Sequence, residues 1–210
     1  MCETKDSHEM CQKSLLFNKV NIENIEIKGG EQMKGQKILG DERRRLIVTW
    51  LQTSQEPITG SELAMKTNVS RQVIVGDITL LKAQGEPIIA TSQGYLYMRR
   101  PEMLNRVERT IACFHPPEKT EEELLLIVQH GVTVLDVKIE HSVYGDLTAS
   151  IMVSTVKEVQ QFIEKISATN SSYLSELTDG IHLHTLAAAT EDDLNKAEEA
   201  LRTNGFLIEA

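Results

Sequence analysis

Two helix starts in close succession constrain this chain more than any other feature. In Thr59-Gly60-Ser61-Glu62, a Thr and a Glu stand where each can satisfy the other's orphan amide at a helix N-terminus. Ser70, a strong N-cap, follows just after a break at Asn68-Val69. The first of these helices turns Leu63 and Ala64 inward. The second carries Ile74, Ile78 and Leu81 on one face and stops at Gly85. Upstream, the apolar spacing predicts a helix from about Asp41 to Gln52, with Ile47, Trp50 and Leu51 on one face and Arg43, Arg44 and Arg45 at its start. Downstream, Pro87 to Thr91, the turn Ser92-Gln93-Gly94 and Tyr95 to Met98 spell a short hairpin. Three helices, a tight turn and a trailing hairpin predict a winged helix-turn-helix.

That fold suits DNA, because a helix fits the major groove and its N-terminal residues meet base edges and phosphates. Here those residues are Ser70, Arg71 and Gln72. Arg pairs bidentately with guanine, Gln with adenine, and Ser with phosphate. Gln93, at the hairpin tip, is placed to lie along the backbone. Three arginines in a first turn oppose the helix dipole, a conflict that a nearby polyanion would relieve, so Arg43 joins the DNA-contact set. The alternative is a winged helix used only for protein contacts.

Charge is distributed to match. The net charge is -9, which by itself argues against nucleic acid, but residues 34–100 hold ten Lys/Arg against six Asp/Glu, and residues 101–210 hold eight against nineteen. A basic module on an acidic body fits a DNA binder that touches phosphate at one end, and equally fits two unrelated solvated surfaces. Residues 1–36 read as a disordered polar tail, and Met33 is the expected natural start. No apolar run approaches the roughly 18 residues of a membrane span, and no stretch resembles a secretory signal, so a cytoplasmic, membrane-free protein is expected. The three cysteines, Cys2, Cys11 and Cys113, are too few and scattered for a disulfide framework. Cys113 reads as a small buried hydrophobe.

The second half changes period. Strand candidates at Asn105–Phe114, Val132–Ile139, Leu147–Val153, Ile181–Ala187 and Phe206–Glu209 alternate with helices at Thr120–Gln129, Thr155–Ala168 and Glu191–Thr203. The order is β-α-β-β-α-β-α-β. Strands joined by a tight turn imply an antiparallel sheet with helices on one face. The fold class is therefore α+β: a winged helix-turn-helix over 37–100 and a two-layer α/β sandwich over 104–210.

Within it, His182 and His184 project from one face of a strand, about 6.6 Å apart. His115 ends another strand, and Glu123 lies in the first turns of the helix that follows. Three imidazoles and a carboxylate suit one divalent transition metal ion, zinc, nickel, iron or manganese, and are too nitrogen-rich for calcium or magnesium. The competing reading is an ordinary core-edge histidine pair. His130 sits near a helix end, where a cation is favourable without any further role.

The pieces Pro57 to Ala64, Val69 to Val75 and Ile88 to Tyr95 resemble the winged-helix half of the nicotinate-responsive repressors. His115-Pro116-Pro117, Glu121 to Leu124, Val134 to Val137, Glu140-His141, Val143 to Gly145, Leu177-Thr178 and Gly180 to Thr185 resemble their 3H domain. The resemblance spans residues 38–210 and implies an HPr-like fold for the second half. It also implies a homodimeric repressor of niacin salvage or uptake genes that binds operator DNA. Nicotinic acid would be the co-repressor, and the metal would be ligated at His115, Glu123, His182 and His184. The acid's carboxylate or ring nitrogen would take an open metal position, with His141, Tyr144 and Gly145 at its other end. Two residues depart from the family pattern: Ser142 stands for the usual Pro, and Gly76 lies within the recognition helix. Two rivals are a regulator that responds to metal alone and a metal-dependent hydrolase.

Overall fold

The computed structural model describes residues 38–98 and 106–208. The expectations for the tail over 1–36 and for Met33 lie outside the described residues. Among the described residues, no helix is long and apolar enough to cross a membrane.

The first half is three helices and a hairpin. Helix α1 is Gly40–Thr53, α2 is Gly60–Thr67 and α3 is Arg71–Ala83. The capping box before α2 forms as read: Thr59 Oγ1 accepts from the Glu62 amide, and the Glu62 carboxylate accepts from the Thr59 amide. The Asn68 cap takes a left-handed conformation, which turns the chain sharply, and Ser70 Oγ then accepts from the Val73 amide to open α3. Helix α3 runs unbroken through Gly76. Strands β1 (Ile88–Ala90) and β2 (Tyr95–Tyr97) pair antiparallel as the wing. Gly94 is required at its turn: φ is +146°, and a Cβ there would lie 2.6 Å from the Ile58 carbonyl oxygen. Ile47, Leu51, Leu63, Ile74, Ile78, Leu81 and Ile88 form this half's core.

The second half is β3 (Val107–Phe114), α4 (Thr120–Val128), β4 (Thr133–His141), β5 (Gly145–Val153), α5 (Val156–Thr169), β6 (Ile181–Ala188) and α6 (Glu191–Thr203). The sheet order is β3-β6-β4-β5, antiparallel throughout. The expected last strand is reduced to a bridge between Leu207 and Cys113, flanked by amide bonds from Phe114 to the Phe206 carbonyl and from Ile208 to the Ala112 carbonyl. One sheet face buries Ile111, Cys113, Val137, Ile151 and Leu186 against Leu124, Ile127, Val159, Leu194 and Leu201 from the helices. The registers of β4 with both β5 and β6 shift between Val134 and Asp136, so the strands bulge there.

Candidate metal centre and nucleic-acid interface

Strand alternation brings His115, His182 and His184 onto the sheet face that α4 covers, where Glu123 in the first turn of α4 points down at them. All four side chains are almost fully buried. His115 Nε2 lies 2.8 Å and His184 Nε2 3.2 Å from Glu123 Oε2, and His182 Nε2 lies 3.3 Å from Glu123 Oε1. Each ring's other nitrogen is anchored on a backbone carbonyl: His115 Nδ1 on Pro116 at 2.9 Å, His182 Nδ1 on Gly180 at 2.9 Å and His184 Nδ1 on Asp136 at 2.8 Å.

A carbonyl only accepts, so all three Nδ1 atoms donate. In the neutral ring the Nε2 atom then carries a lone pair aimed at a carboxylate. Such an arrangement needs protons or a cation between the partners. One carboxylate offsets only one imidazolium, and further buried charges are costly. A single divalent ion meets all three lone pairs and the carboxylate at once. The separations of the three imidazoles from Glu123, 2.8–3.3 Å, are close to the ~3.0–3.4 Å edges expected between donors held about 2.1 Å from one ion. Glu123 Oε1 is buried with no hydrogen-bond partner among the described residues. Donation of Nδ1 to a carbonyl is also the usual orientation of a metal-ligating histidine. The residues therefore fit a transition metal.

Without an ion the electrostatics take a definite sign. Burial opposes the charge on His115 and His184, but Glu123 outweighs it and raises both. Burial likewise opposes the Glu123 carboxylate, yet the charge on His184 and the histidine hydrogen bonds hold it well below the usual range. Raised imidazoles contribute stability that is full below about pH 6.5, their unfolded value, and is lost as pH rises through the raised values. The depressed carboxylate contributes stability that is present above about pH 4.3 and is lost as pH falls through its folded value. The chelator-treated chain should therefore melt progressively lower as pH rises above neutrality, and a divalent transition metal should remove that alkaline loss. Melting temperature against pH, with chelator and with zinc, tests this. A stripped chain whose melting temperature rises over the same interval contradicts it.

Three neighbours of the centre escape a sequence reading. Gly180 has φ +96°, and a Cβ would lie 2.4 Å from the His115 carbonyl oxygen, so only glycine lets the His115 and His182 backbones approach. Its left-handed turn follows the 3-10 segment Leu174–Thr178, and the Asp179-Gly180 pair was the available signal. Cys113 is buried directly opposite His182 in register. A small cavity of about 30 Å³ adjoins the histidines, lined also by Val137, Ile151, Phe162, Tyr173 and Leu174. His141, Tyr144 and Gly145 lie elsewhere, at the β4–β5 hairpin. His141 Nδ1 accepts there from the Val143 and Tyr144 amides, Tyr144 is 75% exposed, and none of the three lines the cavity.

On the winged helix, Ser70, Arg71 and Gln72 stand exposed at the start of α3, whose first turn holds no acidic residue. A helix N-terminus of this kind favours an anion. Two expected DNA contacts are corrected. Arg43 is buried, its guanidinium bonded to both Asp77 oxygens, at 2.6 and 3.3 Å, and to the Ile38 carbonyl. Arg44 also reaches Asp77, at 3.0 Å, and pairs with Asp41, so two of the three arginines of α1 meet carboxylates within the protein. Gln93 is half-buried against the second half: its amide donates to the Glu158 carbonyl at 3.2 Å. Ser92 Oγ donates to the Ile151 carbonyl at 2.6 Å, and Lys165 donates to the Ser92 carbonyl at 2.6 Å.

A winged helix with an open recognition-helix start, carried on a domain with a buried imidazole-carboxylate cluster, defines a DNA-binding regulator. Residues 43–96 match the model of the HTH domain family and residues 108–210 that of the 3H domain family. The transcription repressor NadR of Bacillus subtilis (strain 168) is 60% identical over 173 residues, 82% of this chain and 96% of that protein. The probable transcription repressor NiaR of Thermotoga maritima is 39% identical over 173 residues, 82% of this chain and 97% of that protein. The chain belongs to the NadR/NiaR family of transcription repressors; it is a repressor with a DNA-binding helix-turn-helix, and not an enzyme.

Proposed function

We propose that this repressor senses nicotinic acid through a divalent transition metal and controls genes of niacin salvage or uptake. The observation that carries the reading is the convergence of three carbonyl-anchored imidazoles on the buried Glu123. When bound, the ion supplies a Lewis-acid anchor for the acid's carboxylate or ring nitrogen. Phe162 and Tyr173, with ring centroids 6.3 Å apart beside the cavity, replace His141, Tyr144 and Gly145 as the proposed contacts for the pyridine ring. The present cavity of about 30 Å³ holds roughly one water. A ring therefore enters only if these side chains move.

That movement offers a route to DNA. Ile151 walls the cavity with its side chain and grips the wing with its carbonyl. Effector that shifts β5 changes that grip, and linkage requires operator and effector to favour each other equally, by a typical 1–3 kcal/mol. Operator titration of the metal-loaded chain with and without nicotinic acid tests the proposal; identical affinities contradict it. Ser92→Ala, which removes the hydrogen bond to the Ile151 carbonyl, should shrink the ratio of the two affinities without changing metal content, and an unchanged ratio removes that bond from the coupling. Arg71→Ala should weaken specific operator binding by about 1–3 kcal/mol, read by footprint titration.

Homodimerisation is proposed through the open face of the sheet. There Phe114 and Ile181, a registered pair, and the neighbouring Leu183 are all exposed.

A further inference from the structure

We infer that the Cys113 thiol is an additional donor of the metal centre, so that the ion is held by three imidazoles, a carboxylate and a thiolate. The inference rests on the proposed metal reading and extends it. Cys113 is on β3, fully buried, and directly opposite His182 in the β3–β6 ladder. Residues facing each other in a ladder point to the same side of the sheet, so the thiol stands on the face that Glu123 covers. Its Sγ, a carboxylate oxygen of Glu123 and a ring nitrogen of His182 all lie within 4.8 Å of one another. A shift of about 1 Å closes that triangle to the roughly 3.3–3.8 Å expected between donors on one zinc-like ion.

A second observation points to a ligand at this spot. Glu123 Oε1 is buried and has no hydrogen-bond partner among the described residues, and the histidine nearest to it, His182, is the one facing Cys113. That oxygen faces His182 Nε2 only at 3.3 Å, longer than a good charge-assisted hydrogen bond, and an ion bound between Oε1, His182 and Sγ would satisfy it. On coordination the thiol gives its proton to solvent as the sulfur–metal bond forms. The consequence is selectivity: a thiolate favours zinc, nickel, cobalt or iron over manganese, which prefers oxygen donors.

Cobalt(II) loading of the stripped full-length chain tests this. The expected spectrum has visible ligand-field bands together with a near-ultraviolet thiolate-to-cobalt charge-transfer band. The band should persist in a chain carrying both Cys2→Ser and Cys11→Ser, which leaves Cys113 as the remaining cysteine. It should vanish in both Cys113→Ser and Cys113→Ala while the ligand-field bands remain, with circular dichroism confirming that each variant folds. Zinc affinity in Cys113→Ser should fall about 10–100-fold. Sulfur scattering in the X-ray absorption of the zinc-loaded, unsubstituted chain gives the same answer with no substitution. Ligand-field bands without charge transfer, or no sulfur at the zinc, overturn the Cys113 assignment and leave the imidazole-carboxylate centre standing. No cobalt uptake at all overturns both.

Discussion

Glu123→Gln is expected to keep the fold and to lose more than about 100-fold in affinity for zinc, beyond the 10–100-fold typical of removing an outer partner. The substitution is nearly isosteric, so the core around α4 is not opened. With the new amide nitrogen in the place of Oε2, its two N–H groups face the Nε2 lone pairs of His115 and His184, and the ring Nδ1 atoms stay on the carbonyls of Pro116, Gly180 and Asp136. Stability is therefore largely retained at neutral pH, and the anionic donor at the middle of the cluster is gone. Glu123→Ala removes the same charge but also leaves a cavity, so it confounds affinity with packing. Titration of zinc into the stripped Gln variant reads the effect. Affinity within a few fold of the parent would remove Glu123 from the ligand set.

The largest stability effect should come from Asp77→Ala. Asp77 is 3% exposed on α3 and closes a buried fork with Arg43, itself 6% exposed, while Arg44 adds a partly buried second contact. Removing one member of such a pair leaves an uncompensated buried charge, which typically costs 3–5 kcal/mol. Whole domains have only about 5–15 kcal/mol to lose. The winged helix should thus unfold at much lower urea, and Trp50, the chain's single tryptophan, reports it from α1. A loss below about 1 kcal/mol, the range of exposed pairs, would contradict the burial of this contact. Operator binding should fall in parallel with unfolding, because Arg43 is buried and holds α1 to α3.

That pair marks a limit of the sequence. Arginines at a helix start read as a phosphate-facing surface, because nothing local shows that a carboxylate on a later helix will meet them. The winged helix itself was legible, since its capping box, N-caps and hairpin turn are all short-range signals. So were the succession of elements along the second half and the common face of His182 and His184, which follow from the periods of the apolar residues. Tertiary placements were not. The docking of Gln93 on α5, the single bridge by which Leu207 joins β3, and the closeness of Cys113 to Glu123 depend on how separate elements pack. The turn from His141 to Gly145 was legible, but its distance from the histidine cluster was not: β4 reaches past its pairing with β6, so His141 and Tyr144 sit beyond the cavity.

In the proposed function, one ion mediates between acid and operator. Metal analysis of the purified full-length chain, followed by calorimetry of nicotinic acid against the loaded and the chelator-stripped protein, addresses it directly. One transition metal per chain, with heat of nicotinic acid binding from the loaded protein alone, is the predicted result. Equal binding of nicotinic acid to the stripped protein, or a chain that takes up no transition metal, would contradict it.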